Sequence, residues 1–179
     1  MAKIEKPKAR KEYKCSKCGG IIKIGETYLK GTPFRRSPVI RCIKCGLRSW
    51  ELSSSDYVQG VGRVCDCWEE DYGCDEDTAQ SIADELDSIK DQCEGSLENM
   101  PEGLQEGDTG QLLQERIDNL DEAISELEAI DYDSIKASAE QDFDSELEEG
   151  SPEYQNELAG EIETALIDAI NEALSCLDY

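Results

Sequence analysis

Two Cys-x-x-Cys pairs constrain this chain more than any other feature. They read Cys15-x2-Cys18-x23-Cys42-x2-Cys45, and each is followed by a glycine, Gly19 and Gly46. Two thiolates on one tight turn both reach a metal ~2.3 Å away, and the backbone just beyond needs a residue that tolerates positive φ. Two such knuckles complete a tetrahedron. Sulfur then fills all four positions, so none is left for water or substrate, and the ion is structural. A segment this short builds too little core to fold by itself, and bound metal supplies the missing folding free energy. The spacing predicts one structural Zn2+ on Cys15, Cys18, Cys42 and Cys45, within a module over residues 13–52. Iron also suits four thiolates, and redox disulfides or free thiols are the non-metal alternative.

Between the knuckles, Ile22, Ile24 and, after a turn at Gly25, Tyr28 suggest short strands, with Gly31, Pro33 and Pro38 punctuating the return. Residues 1–12 are basic and aperiodic and read as a mobile arm. Nine cysteines accompany no histidine, which removes the commonest general base. The other five cysteines are weaker signals. Cys65, Cys67, Cys74 and Cys93 admit a second metal site; the plainer reading makes Cys65 and Cys93 small apolar residues on helix faces and leaves Cys67, Cys74 and Cys176 inert.

The net charge of −24 conceals a split. Residues 1–48 hold 14 Lys and Arg against 3 Asp and Glu, whereas residues 49–179 hold 4 against 39. That asymmetry suggests two modules with different partners. The acidic part, residues 53–179, reads as all helical. Helix N-cap residues at Ser53–Asp56 precede Tyr57, Val61, Val64 or Cys65, Trp68 and Tyr72, although Gly60 and Gly62 weaken that helix. A second stripe runs Ile82, Leu86, Ile89, Cys93, Leu97 and Met100. A third runs Leu113, Ile117, Leu120, Ile124 and Leu127. Joined by a glycine-rich loop, the two predict an antiparallel hairpin over about 77–130. A weaker helix passes through Ile135, Ala139, Phe143 and Leu147. Ser151-Pro152-Glu153 opens the last, over about 151–177, with Leu158, Ile162, Leu166, Ile170, Leu174 and Leu177 on one side and Ala159, Ala165, Ala169 and Ala173 widening that face.

The run YKCSKCGGIIKIGETYLKG…IRCIKCG resembles small zinc-ribbon proteins encoded by bacteriophages. In that group CSKCG, IxxGExY and the second CxxCG are followed by a Ser/Thr-rich segment like ELSSSDY. The resemblance implies a virus-encoded protein working in a bacterial cytoplasm, and names no activity. A fainter resemblance is to fingers of the poly(ADP-ribose)-polymerase type, which end in HxxC. This chain has Cys42 where those fingers carry histidine, so damage sensing is not carried over.

Lys17, Lys30, Arg35, Arg36, Arg41, Lys44 and Arg48, interleaved with Tyr28 and Phe34, form a candidate nucleic-acid surface. Cations meet phosphates and rings stack on unpaired bases. The competing readings are a solvated basic surface with core-packed aromatics, or a basic module docked on its own acidic helices. The acidic helices show almost one sign of charge and suit a basic protein groove; general solubility is the plainer account. No P-loop, GxSxG or open metal site is visible, so an enzyme is not expected. No run of about 18 apolar residues exists, and the basic opening has no apolar stretch behind it. A cytoplasmic protein is therefore expected. Two functions follow: an adaptor or regulator that binds nucleic acid or a nucleoprotein through the zinc module and a protein through the helices, or an inhibitor that occupies the basic groove of a host enzyme or defence factor through its acidic surface.

Overall fold

The computed structural model describes residues 3–33, 36–143 and 151–177. The chain forms two compact units that divide between Arg63 and Val64. The first holds five short strands: β1 (Lys3–Glu5), β2 (Tyr13–Lys14), β3 (Ile21–Ile22), β4 (Tyr28–Thr32) and β5 (Val39–Cys42). Strands β1, β4 and β5 form an antiparallel sheet with β4 in the middle, and β2 pairs with β3 as a hairpin. Helix α1 (Asp56–Tyr72) begins in this unit.

Strand β4 is buried on both faces. Neighbouring side chains on a strand point opposite ways, so Tyr28 enters a cluster with Ala9, Cys15 and Ile22 while Leu29 enters another with Leu47 and Leu52. Gly31 is required there. A Cβ on it would lie 2.5 Å from a Leu52 methyl and 2.9 Å from a Leu47 methyl.

Two expectations are corrected in this unit. The segment read as a mobile arm supplies β1, with Ile4 opposite Gly31, and Ala9 is buried with its N–H on the Glu26 carbonyl at 2.8 Å. A three-residue strand with one apolar side chain leaves no periodicity to read. Ile24 is not a core strand residue. The register places Tyr13 opposite Ile22 and Lys14 opposite Ile21, and the following turn, closed by the Lys23 N–H on Glu26 Oε2 at 2.8 Å, delivers Ile24 to solvent. The unit runs to Arg63 and so takes in the start of α1.

The second unit is helical: the end of α1, then α2 (Thr78–Glu98), α3 (Glu102–Gln105), α4 (Asp108–Glu128), α5 (Tyr132–Asp142) and α6 (Pro152–Ala173). The expected hairpin is α2 folded against α4. Ile82, Leu86, Ile89 and Cys93 meet a seam of Ile117, Leu120, Ile124 and Leu127, all buried. Lys90 crosses the pair, its Nζ 3.0 Å from Asp87 and 2.9 Å from Asp121. The connection expected as a loop contains the single turn α3. Helix α6 packs on α5 and α4. It starts as its sequence dictates, with the Tyr154 N–H on Ser151 Oγ at 3.1 Å and Pro152 in the first position. Asp131 caps α5 by accepting from the Asp133 and Ser134 N–H groups. Leu147, expected on the α5 face, lies outside the described residues. Among the described residues, no helix is long and apolar enough to cross a membrane.

Leu120 is fully buried at the centre of the hairpin. Leu120→Ala is expected to cost about 2–5 kcal/mol in a urea unfolding curve, with the cavity term setting the place in that range. Two glycines are expected to respond oppositely to alanine. A Cβ added at Gly95, inside α2, would meet nothing within 4 Å, so Gly95→Ala should stabilise by about 0.5–1 kcal/mol. Gly62, inside α1, is packed against the Trp50 ring, so Gly62→Ala should destabilise despite the same gain in helix propensity. Thermal unfolding of the two variants checks both signs.

Candidate metal centre

The four predicted ligands converge. The sulfurs of Cys15, Cys18, Cys42 and Cys45 all lie within 4.8 Å of one another. Four sulfurs ~2.3 Å from a shared centre stand ~3.8 Å apart along each tetrahedron edge. The Cys18–Cys42 separation is 3.9 Å, whereas a disulfide would need ~2.05 Å. The donor set and its spacing fit a tetrahedral ion of soft character.

Local backbone chemistry builds each knuckle. At the first, the Cys15 N–H donates to the Gly20 carbonyl at 2.8 Å and the Gly19 N–H returns to the Cys15 carbonyl at 3.0 Å. At the second, Ile43–Cys45 form one tight helical turn closed by the Gly46 N–H on the Ile43 carbonyl. Gly19 and Gly46 sit at φ 71° and 62°, where a Cβ would clash with its own backbone. Two bonds join the knuckles: the Ser16 N–H on the Ile40 carbonyl at 2.8 Å, and the Cys42 N–H on Cys15 Sγ at 3.4 Å. The second is a donor aimed at a sulfur, and it favours thiolate over thiol.

Crowding makes the four ionisations unequal. Burial pushes the Cys15 thiol up, but N–H donors from Cys18, Cys42 and Lys17 outweigh it and hold the group at about 6. The thiol of Cys45 is pushed up to about 12, first by sharing protons with Cys42 and Cys18, then by burial. A cation at the centre removes this conflict, because every sulfur then gains from being a thiolate.

The remaining cysteines do not join a second cluster. Among the described residues, only Cys15, Cys18, Cys42 and Cys45 are gathered at metal-binding distance. Cys93 is buried in the hairpin, and burial raises its thiol, as it does those of Cys65, Cys74 and Cys176. Cys176 donates weakly to the Asn119 carbonyl at 3.5 Å.

The candidate nucleic-acid residues divide. Lys17, Arg36 and Lys44 are exposed, and Lys30 and Arg48 are half-buried. Arg35 and Phe34 lie outside the described residues. Two are corrected. Tyr28 is 5% exposed and stacks at 5.0 Å on Tyr13, so its ring belongs to the core and is not free to meet a base. Arg41 is held by Glu51, Nη1 to Oε1 at 2.6 Å, with both side chains largely covered. Glu51 also accepts the Arg48 N–H at 2.8 Å. This carboxylate organises the end of the finger, inside the module expected over residues 13–52. Its three-residue spacing from Arg48 was the only available signal. Ile21, Ile24 and Ile43 are exposed large apolar side chains in the same unit.

No family model, curated protein or solved structure matches this chain. Fold and site by themselves place it in a class: a small β-rich four-cysteine finger of the zinc-finger kind, followed by an all-helical acidic module.

Elemental analysis of the purified chain is expected to find about one tetrahedral ion per molecule. Acid should release it, since protons compete for each thiolate. Cys18→Ser should lose the ion and unfold the first unit while the far-ultraviolet helical signal persists. A metal-free chain with an unchanged near-ultraviolet spectrum would refute the assignment.

Proposed function

We propose that the chain is a zinc-finger adaptor of the bacteriophage type, whose metal-bound first unit contacts nucleic acid and whose acidic helices engage a protein. Zinc is the ion best suited to four thiolates with no open position, and it would supply folding free energy rather than chemistry. The observation that carries the reading is the repeated knuckle Cys-x-Lys-Cys-Gly. Lys17 and Lys44 occupy equivalent positions in it and are both exposed. Lys14, Lys23 and Arg36 are exposed in the same unit, and Ile21 and Ile43 supply apolar surface that suits unstacked bases. Burial of Tyr28 in the core and pairing of Arg41 with Glu51 narrow the surface and leave its cationic character in place.

The acidic helices favour a second reading, an inhibitor that works by protein contact in a bacterial cytoplasm. Residues 64–178 hold 37 Asp and Glu against 3 Lys and Arg, and one of those three, Lys90, is already bridged by Asp87 and Asp121. A one-sign helical surface of this kind imitates a polyanion to a basic groove.

Salt-dependent binding to single- and double-stranded nucleic acid separates the two. Each lysine that neutralises a phosphate contributes roughly 0.7–0.9 to the slope of log affinity against log salt. Lys17→Ala with Lys44→Ala is expected to flatten that slope and to weaken binding without loss of the metal. If the wild-type chain binds neither DNA nor RNA at low salt, where electrostatics are strongest, the nucleic-acid reading fails and the inhibitor reading stands.

A further inference from the structure

On the alanine flank of α6, Ala173 closes into the core, whereas Ala165 and Ala169 stay half-buried. Ala165 forms the floor of a cavity of about 580 Å³ between α5 and α6, with Ile135, Ala139 and Phe143 as apolar wall and Ser138 and Glu161 at the edge. Further along, Ala169 and Ala173 line a second cavity of about 270 Å³ with Ala129 and Ile130. Glu126 and Glu172 border it. Ala165, Ala169 and Ala173 are spaced by four, so they share one face and span about 12 Å, two helical turns. The two cavities lie along the same row of α6 and make an interrupted apolar trough with carboxylates beside it. Glu161, Asp168 and Glu172 are all exposed and recur at near-heptad spacing on the neighbouring stripe.

We propose that this trough is the docking site for a cationic amphipathic helix of a partner protein. The inference rests on the reading of the acidic helices as a protein-binding surface, and it names where on them binding occurs and what binds. Charge decides the occupant. An apolar groove rimmed by acids in a unit of 37 acids and 3 bases disfavours an acidic or neutral-polar segment, and it repels the helical unit of a second copy by like charge. A helix with apolar side chains at i, i+4 and i+7 fills two turns of trough, and Lys or Arg on its flanks reach Glu161, Asp168 and Glu172. Apolar floor gives shape selection, and the rim gives attraction and orientation.

The test uses the full, metal-loaded chain and two synthetic peptides of about 18 residues, five helical turns. Both have the same Leu, Lys and Gln content. One places Leu in a helical stripe, and the other scatters it. At 0.15 M salt, where exposed charges are screened beyond ~8 Å, the striped peptide is expected to bind at least about tenfold tighter. Ala165→Phe, and independently Ser138→Phe from the opposite wall, should erase that preference, leave the scattered peptide's affinity unchanged, and leave the helical circular-dichroism signal intact. Ser138 is exposed, so its variant reads the trough even if Ala165→Phe disturbs folding. Equal binding of the two peptides would overturn the trough while sparing the acidic-surface reading. Binding of neither would overturn both. A preference that survives both variants places the helix elsewhere and overturns the proposal, as does self-association of the chain that Ala165→Phe abolishes.

Discussion

The first unit depends on bringing four sulfurs to one point. Cys42 and Cys45 pack against the cluster of Ala9, Cys15, Ile22 and Tyr28, so the metal centre and the core are one object. The second cluster, Leu29, Leu47 and Leu52 with Ile4 and Val39, lies on the other side of β4. Neither is large. A fully buried side chain of this size contributes ~1.5–3 kcal/mol, whereas a structural zinc in a small finger contributes about 10–16 kcal/mol at pH 7. An ion held there would therefore outweigh any single apolar contact, and the four cysteines sit where they anchor the most chain. Cys15 follows β2, Cys42 ends β5, and the Ser16 N–H binds the Ile40 carbonyl across the gap. Fixing the sulfurs fixes the pairing of β5 with the central strand.

What the sequence made legible follows from how each feature is encoded. The knuckles are local, since two cysteines and a glycine within five residues specify a turn. Four ligands from two such turns then leave little freedom, and the structure gathers them as the spacing required. The α2–α4 hairpin was legible because Ile82 to Cys93 and Ile117 to Leu127 keep helical spacing over several turns, and periodicity integrates over length. The Ser151–Pro152 start of α6 was legible because a cap is a local device. Strand β1 was not, because Lys3–Glu5 is stabilised by backbone pairing with Lys30–Thr32, a contact between residues far apart in sequence that leaves no mark in composition. Tyr28 and Arg41 fit a nucleic-acid surface by residue type, but type does not report which face of a strand is covered. Strand β4 alternates Tyr28 and Leu29 into two different clusters, and Arg41 finds Glu51 only after the chain turns back. The glycine in α1 is instructive in the same way. Gly62 lowers helix propensity, yet the position admits no side chain beside Trp50, so tertiary packing overrides the local preference.

The helical unit holds together against its own charge. Apolar seams must overcome the mutual repulsion of 37 acids relieved by 3 bases. Lys90 is placed where one cation helps most, between α2 and α4, where the hydrogen bonds it donates to Asp121 and Asp87 raise its pKa. The helix ends add to the imbalance. Among the described residues, α2, α4, α5 and α6 carry no basic side chain in their last turns, although a cation there would complement the dipole. Such a surface is under tension that any cation relieves, and whatever binds the folded form more tightly than the unfolded one stabilises it by mass action. Stabilisation by a polycation thus says only that the surface is acidic. Selectivity needs a feature that charge lacks, and in the proposed trough that feature would be the row Ala165, Ala169 and Ala173. Small side chains here forgo burial that leucine would have gained, and they leave apolar space beside a line of carboxylates. Attraction without shape would bind every cationic protein in reach, whereas shape without attraction would compete poorly with water for a shallow trough. With both on one helix, as proposed, the acidic field would collect candidates and the trough would choose among them.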